Sequence, residues 1–328
     1  MDEEESLGMD FGVLITSISK KIPLLLAVRN AAHKIGSLSR VHGSDSDKEC
    51  VGQYAHAIDA FWHSASLERL KAQDILAYCQ THRLRAIIPT RDADLAFYAK
   101  HLLFFQSHGI SIMVSPLESI EICQDKWRFS QSLAQDNLLT IPTSLSIGGI
   151  RAPAYVVKER YGSGSAHLGI NLTVEKALKH AEELKHPIFQ PFIEGKEWSI
   201  DLYRTRAGKV LGCVCRSRDL VIGGESQITT TKSYPALEKL ALKIACHLNL
   251  YGHAIIQVIE EKTGNFAIVE CNPRFGGAST ASIAVGLDSF YWFMLESTET
   301  VLSKGHFVRT KQEVRQVRYP ADWILPWS

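Results

Sequence analysis

The sequence predicts an α/β protein, with an open parallel α/β domain at the N-terminal end and a larger region richer in β signals after it. Two observations carry this. Between residues 11 and 115 short apolar runs alternate with helical patterns, as parallel strands joined by crossover helices do. From residue 154 onward strand signals crowd together, and two of them form a hairpin.

In order, residues 1–10 read as a disordered acidic tail, and FGVLITS (11–17) reads as a buried strand followed by a helical pattern through Ala32. A weak strand near Leu38 to Val41 and a helix over Leu67 to Thr81 come next. RAIIPT (85–90) is a short apolar strand, DADLAFYAKHLLFFQSHG a helix ending at Gly109, and ISIMVS (110–115) another strand. No G-x-G-x-x-G follows the first strand, so a dinucleotide site is not indicated. In SPLESIEICQDKWRFSQSLAQDNL (115–138), Ser119 reads as a helix start, with Asp125, Lys126 and Arg128 between two amphipathic turns. IPTS (141–144) ends that helix with a proline. Strands follow at AYVVKE (154–159), PIFQPF (187–192), EWSIDLYRT (197–205) and KVLGCVCRSR (209–218). Helices are expected over 173–185, where Glu175 and Lys179 are spaced i, i+4, and over 234–248. HAIIQVIEE (253–261) and NFAIVECN (265–272) pair through a KTG turn.

Composition narrows the function. With 45% hydrophobic and 22% charged residues the chain reads as an ordinary globular protein. A net charge of +1 gives no pull toward nucleic acid or an acidic membrane surface. Seven cysteines without a C-x-x-C pair read as free thiols in a reducing compartment. MDEEESLG lacks the basic start of a signal peptide, and IPLLLAV (22–28) is far short of the ~18 residues of a membrane span. A cytoplasmic protein acting on small molecules, with no nucleic-acid or membrane partner, is the expectation.

Three clusters carry candidate chemistry. In FAIVECNPR, strand alternation puts Glu270 and Asn272 on one face and Cys271 on the other, and Gln257 lies on the partner strand. One carboxylate and two amide oxygens suit Mg²⁺, which completes its shell with water and phosphate. Arg274 follows, where a guanidinium could neutralise phosphate charge. A polar strand end in water would look the same in isolation. In AYVVKERYGSGSAHLG a strand carries Lys158, and Gly162, Ser163, Gly164 and Ser165 form a loop whose backbone N–H groups could approach phosphate oxygens. A flexible turn would also account for that loop. In IFQPFIEGKEWSID, the strand at Gln190, broken by Pro191, could offer backbone groups to an adenine edge, with Phe192 against the ring and Glu197 at ribose hydroxyls. An exposed hairpin is the competing reading. Arg216 and Arg218, in CRSRDLVIGGESQ (215–227), share a strand face and are candidate contacts to a substrate carboxylate, with a solvated strand edge as the alternative.

It is the order of these motifs that matters. D-K at Asp125, V-V-K with a Gly/Ser loop, Q-P-F-I-x-G-x-E from Gln190, then Gln257 and E-C-N-P-R together resemble the ATP-grasp superfamily, in its carbamoyl-phosphate-synthase-like branch of stand-alone carboxylate–amine ligases. The resemblance runs from about Phe11 to Gly286. It implies a pre-ATP-grasp α/β domain over 11–116 and a two-subdomain ATP-grasp fold over 117–328, with the lid subdomain at about 140–195. Lys126 and Lys158 would contact ATP phosphates, Gly162 to Ser165 would form the flap, Gln190, Phe192 and Glu197 would hold the nucleoside, and Gln257, Glu270 and Asn272 the metal. Arg274 would stand beside the transferring phosphoryl group. Mg²⁺ is the implied ion, with Mn²⁺ as an alternative, and a homodimer is compatible with the family. Gly276 and Gly277 stand where carbamoyl phosphate synthases carry a further arginine, and 328 residues do not hold two grasp units, so carbamoyl phosphate synthesis is not expected. The implied activity is ATP-dependent activation of a carboxylate as an acylphosphate and its capture by an amine. A nucleotide-binding regulator that has lost turnover is the other reading. Cys271 and His253 are expected to pack, and the aromatic tail RYPADWILPWS (318–328) to dock on the grasp domain.

Overall fold

The computed structural model describes residues 11–162, 164, 167–322 and 324. Apolar segments near the N-terminus form a five-stranded sheet from β1 (Gly12–Thr16), β2 (Arg40–Asp45), β3 (Ala60–His63), β4 (Ala86–Pro89) and β5 (Ser111–Ile112). Its order is β3-β2-β1-β4-β5 and every pairing is parallel. Helices α1 (Ile22–Ile35), α2 (Ala72–Thr81), α3 (Asp92–Lys100) and α4 (Leu102–Ser107) cover it. The helix expected to run from Asp92 to Gly109 breaks at His101, and β3 carries no clear strand signal in the sequence. The strand order reverses direction between β1 and β4, so their carboxyl ends open a crevice of the kind that receives ligands in open α/β sheets.

Helices α5 (Leu117–Gln124) and α6 (Lys126–Gln135) lead out of this unit. Pro116, not Ser119, precedes the first of them, and Asp125 caps the second by accepting from the backbone N–H groups of Trp127 and Arg128, both at 3.1 Å. A small antiparallel sheet follows, with β6 (Tyr155–Glu159) between β7 (Gly169–Leu172) and β8 (Pro187–Pro191), and helix α7 (Val174–Ala181) packs on one face. Tyr155, Val157 and Phe189 turn into that small core together with Ala177, which leaves Val156, Lys158 and Gln190 on the opposite face.

The largest sheet contains β9 (Gly195–Arg204), β10 (Val210–Ile222), β11 (Glu225–Lys232), β12 (Gly252–Glu261), β13 (Phe266–Asn272) and β14 (Arg315–Val317), in the order β13-β12-β9-β10-β11-β14. Strand β11 was not read from the sequence; Gly223 and Gly224, at φ 57° and 77°, make the turn that folds it back on β10. One face of this sheet is apolar. Trp198, Ile200, Leu202, Cys215, Ile256, Val258, Ile268 and Cys271 bury against α8 (Pro235–His247). The other face carries the candidate site on a polar stretch, and beyond it Tyr203, Leu211 and Val214 join a second apolar core.

After β13 come α9 (Thr280–Ala284) and α10 (Ser289–Ser297), neither anticipated from the sequence. Helix α10, SFYWFMLES, is apolar nearly all round because it is buried on several sides: it lies on α1, and Phe290, Trp292 and Phe293 join Val28, Ala32 and Ile35 in one core. Each such fully buried side chain contributes about 1.5–3 kcal/mol. The N-terminal sheet and the large sheet are therefore held by a shared apolar core. At the C-terminal end Arg315–Val317 pairs with β11, but Tyr319 and Ile324 are exposed. Of the tail expected to dock, Arg318 donates its backbone N–H to the Gln227 carbonyl, whereas Trp323 and residues 325–328 lie outside the described residues.

Candidate functional site

Register builds the polar face. Glu270 on β13 is the direct partner of Gln257 on β12, Gln257 of Ser199 on β9, and Ser199 of Arg216 on β10. Directly paired residues point to the same side of a sheet, so these four form one row. A second row, two residues along, holds Asn272, Ile255, Asp201 and Val214. A β-bulge makes this possible. Val258 pairs with Ile268 and the adjacent Gln257 with Glu270, which leaves Val269 as the extra residue. Strict alternation would have put Ile268 and Glu270 on one side; the bulge sends Ile268 into the apolar core and Glu270 to the polar face. Cys271 then returns to the core, fully buried, and Asn272 shares the polar face. The Asn272 Nδ2 donates to Glu270 Oε1 at 3.0 Å, which leaves the amide oxygen on the other arm of the carboxamide.

Two lysines, one from α6 and one from the small sheet, lie within electrostatic reach of Glu270. Lys126 is the first residue of α6 and donates from Nζ to the Gly162 carbonyl at 2.7 Å. Arg160 clamps this corner: its Nε and Nη2 donate to the two Asp125 carboxylate oxygens at 2.8 and 2.6 Å. Lys158 projects from β6 on the face away from the small sheet's apolar core. Burial pulls its ammonium down to about 8, against the opposing pull of the Glu270 carboxylate, and Lys126 is lowered by burial in the same way. Gly162 and Gly164 have φ of 99° and 78°, the left-handed region that favours glycine. Ser163 and Ser165 lie outside the described residues.

The other expected residues fall in three places. Gln190 is buried and donates to the Thr143 hydroxyl at 2.8 Å, so its side chain braces the strand while Phe192 follows it half-buried. Glu197 and Arg218 form an ion pair at 2.9 Å on the polar face. Arg216 is buried, and its Nε donates to Asp201 Oδ2 at 2.5 Å. A solvated strand edge is excluded for Arg216.

Arg274 meets a residue that sequence reasoning did not single out. Its Nε and Nη2 donate to the Asp92 carboxylate, at the first position of α3, at 2.8 and 2.5 Å. Nearby, Lys21 ties the crevice between β1 and β4 by donating to the Ser17 and Thr90 carbonyls and the Thr90 hydroxyl at 2.8, 3.2 and 2.7 Å. Burial, with Arg274 adding to it, pulls that ammonium to about 8. Asp201 was also missed, although a polar residue inside the alternating apolar run of β9 was its signal. It is fully buried and receives the Ser279 and Ser282 hydroxyls as well as Arg216, with His253 Nε2 at 3.2 Å. His253 is accordingly a buried structural histidine.

Glu270, Asn272 and Gln257 supply one carboxylate and two amides as hard oxygen donors, and no cluster of three His, Cys, Asp or Glu exists among the described residues. That set fits Mg²⁺ only if phosphate and water complete its shell. A cleft of about 450 Å³ lies elsewhere, between α6 and residues 137–150. Its lining, including Gln131, Asn137 and Thr140, has no charged side chain, so the charged face is the better candidate for chemistry. No helix among the described residues is long and apolar enough to cross a membrane.

Comparison with known proteins bears on the fold that carries this face. Residues 183–320 match a family described as ATP-grasp in the biosynthetic pathway with Ter operon. The carbamoyl phosphate synthase large chain of Pyrococcus furiosus is 20% identical over 216 residues, 58% of this chain and 20% of that one. The chain thus spans about a fifth of the length of the curated relatives it matches. Among solved structures, the biotin carboxylase domain dimer of the Hydrogenobacter thermophilus 2-oxoglutarate carboxylase, in complex with MgADP, ADP and bicarbonate, superposes with a TM-score of 0.73 at 16% identity. That match covers 94% of this chain and 74% of that one. The L-amino acid ligase of Bacillus licheniformis does so with a TM-score of 0.73 at 16% identity, covering 93% and 79%. At such identities these likenesses speak for the fold.

Proposed function

From the ATP-grasp fold that this chain carries, we propose that it is an ATP-dependent ligase which activates a small-molecule carboxylate as an acylphosphate and joins it to an amine. The observation that carries the reading is that Lys126 and Lys158 both lie within electrostatic reach of Glu270, which itself sits beside Gln257 and Asn272. The Ter-operon description of the matching family and the L-amino acid ligase among structural neighbours support a small biosynthetic substrate.

In this reading the substrate carboxylate attacks the γ-phosphorus of ATP, the bond to the β,γ-bridging oxygen breaks, and ADP leaves. The amine then attacks the acyl carbon, loses a proton and expels inorganic phosphate. No protein nucleophile is needed, so the work of the chain is positioning and charge neutralisation. Lys126 and Lys158 offset phosphate charge, Arg274 steadies the transferring group, and the backbone around Gly162 and Gly164 approaches the phosphates. Gln190 keeps the hinge strand in place beneath the nucleoside, with Phe192 against the base and Glu197 at the ribose. Glu270, Asn272 and Gln257 would hold Mg²⁺, which when bound supplies further neutralisation of the phosphates.

The test is ADP and phosphate release from Mg-ATP with and without pooled amino acids and amines, followed by mass spectrometry of the products. Release that depends on the pool establishes the ligase, and the new mass names the bond. Failure to release ADP with every pool, while Mg-ATP still raises the melting temperature, would overturn catalysis and leave a nucleotide-binding protein.

A further inference from the structure

We propose that Ser199 and Arg216 receive the carboxylate of the substrate; the identity of that anion rests on the ligase reading above, whereas the existence of the site rests on the structure. Both residues lie in the row that begins with Glu270 and Gln257. The Ser199 hydroxyl and Arg216 Nη1 are buried, and neither has a hydrogen-bond partner among the described residues. Buried polar atoms in native proteins nearly always have partners, so two neighbouring orphans on one polar face mark a missing third group.

The chemistry of the orphans defines that group. A guanidinium N–H donates and cannot accept, so the missing partner is an acceptor; a hydroxyl can donate to the same acceptor. Charge complementarity favours an anion over a neutral oxygen. The guanidinium is also held in place. Its Nε donates to Asp201 at 2.5 Å, and Asp201 is fixed in turn by Ser279, Ser282 and His253. One face of the guanidinium is thereby committed, and Nη1 is left over for a ligand. Arg216 stands three strands from Glu270, about 14 Å between backbones at ordinary strand spacing. Arg216 thus stands at the opposite end of the row from Glu270, with Gln257 and Ser199 between them. Ser279 lies five residues beyond Arg274, so the same network ties the Arg216 guanidinium to the loop that carries Arg274.

The experiment is calorimetric titration of the full chain with sodium acetate and, separately, inorganic phosphate, each with and without saturating MgADP. Wild type is compared with Ser199→Ala and Arg216→Lys, and thermal melts show that each variant is folded. Acetate is expected to bind wild type more tightly than phosphate, and both variants to weaken it at least tenfold while MgADP affinity stays within twofold. Equal acetate binding in all three proteins, or none in wild type, would overturn the proposal and make buried water the missing partner. Tighter binding of phosphate, lost in both variants, would assign the site to a phosphoryl group and overturn the carboxylate. If wild type fails to bind MgADP, the nucleotide reading falls, and acetate titrated alone still decides the Ser199–Arg216 site.

Discussion

Arg274, from the loop after the last long strand of the large sheet, and Asp92, at the start of α3 in the N-terminal unit, meet as a two-pronged ion pair at 2.8 and 2.5 Å. Both side chains are about one-fifth exposed, so solvent weakens the pair without abolishing it. Asp92 therefore orients the guanidinium proposed to meet the phosphoryl group, and it links the N-terminal unit to the candidate site.

Removing one partner leaves the other charge half-buried and unpaired. Asp92→Asn is expected to lower stability by about 1–3 kcal/mol, the range for a charge-assisted hydrogen bond. In a double-mutant cycle with Arg274→Ala, read by urea unfolding, the two losses should overlap. Strict additivity would show that the pair is geometric only.

Glu270 faces two lysines as well as its amide neighbours, so its role separates by substitution. Glu270→Gln and Asn272→Ala should each reduce ADP release at least ~10²-fold, the usual scale for losing a group that steadies developing charge. Circular dichroism should be unchanged, because both side chains are on the polar face and outside the core. Normal turnover in either variant would remove that residue from the metal set.

Most of the candidate face was legible because chemistry leaves residue-level marks. Glu270, Asn272 and Gln257 stand out as polar residues in apolar strands, and the two-residue spacing gave their common face. What was not legible depends on contacts between distant segments. No local rule marks Asp92 as the partner of an arginine 182 positions away. The bulge at Val269 is invisible in FAIVECN, since both phases of the alternation read as apolar. The buried α10 was missed for another reason: a helix covered on several sides loses the one-sided stripe by which helices are recognised. Arg216 looked like a substrate-facing arginine, and only the fold shows that Asp201 already holds one side of it.

Asp201 gives a prediction in acid. Burial pulls its carboxyl upward, but the Arg216 charge and the His253 hydrogen bond outweigh this and hold it well below the usual range. A depressed folded-state value means that the stabilisation is complete above the unfolded value of about 4 and is lost as pH falls below it. Asp201→Asn should destabilise by about 3–5 kcal/mol at pH 7, as expected for breaking a buried pair. Urea unfolding at pH 7 and pH 3 should show a smaller acid loss in the variant than in wild type. An identical acid loss in both would mean that Asp201 is not the group that titrates.

Lys158 makes the pH argument in the opposite direction. Burial puts its ammonium at about 8, and Glu270 draws it up while Lys126 pushes it down. An amine with a folded value below its unfolded value of about 10.4 opposes folding while charged, so the free protein should gain stability as pH rises from about 8 toward 10. Nucleotide binding has the reverse dependence, because only the ammonium offsets phosphate charge. Mg-ATP affinity should therefore fall as pH rises through about 8, with proton uptake on binding visible as a buffer-dependent heat. Lys158→Ala should weaken Mg-ATP at least tenfold at pH 7 and flatten this dependence, since Lys126 alone then faces the phosphates. Unchanged affinity and an unchanged pH profile in that variant would remove Lys158 from the nucleotide site and leave Lys126 to carry the contact.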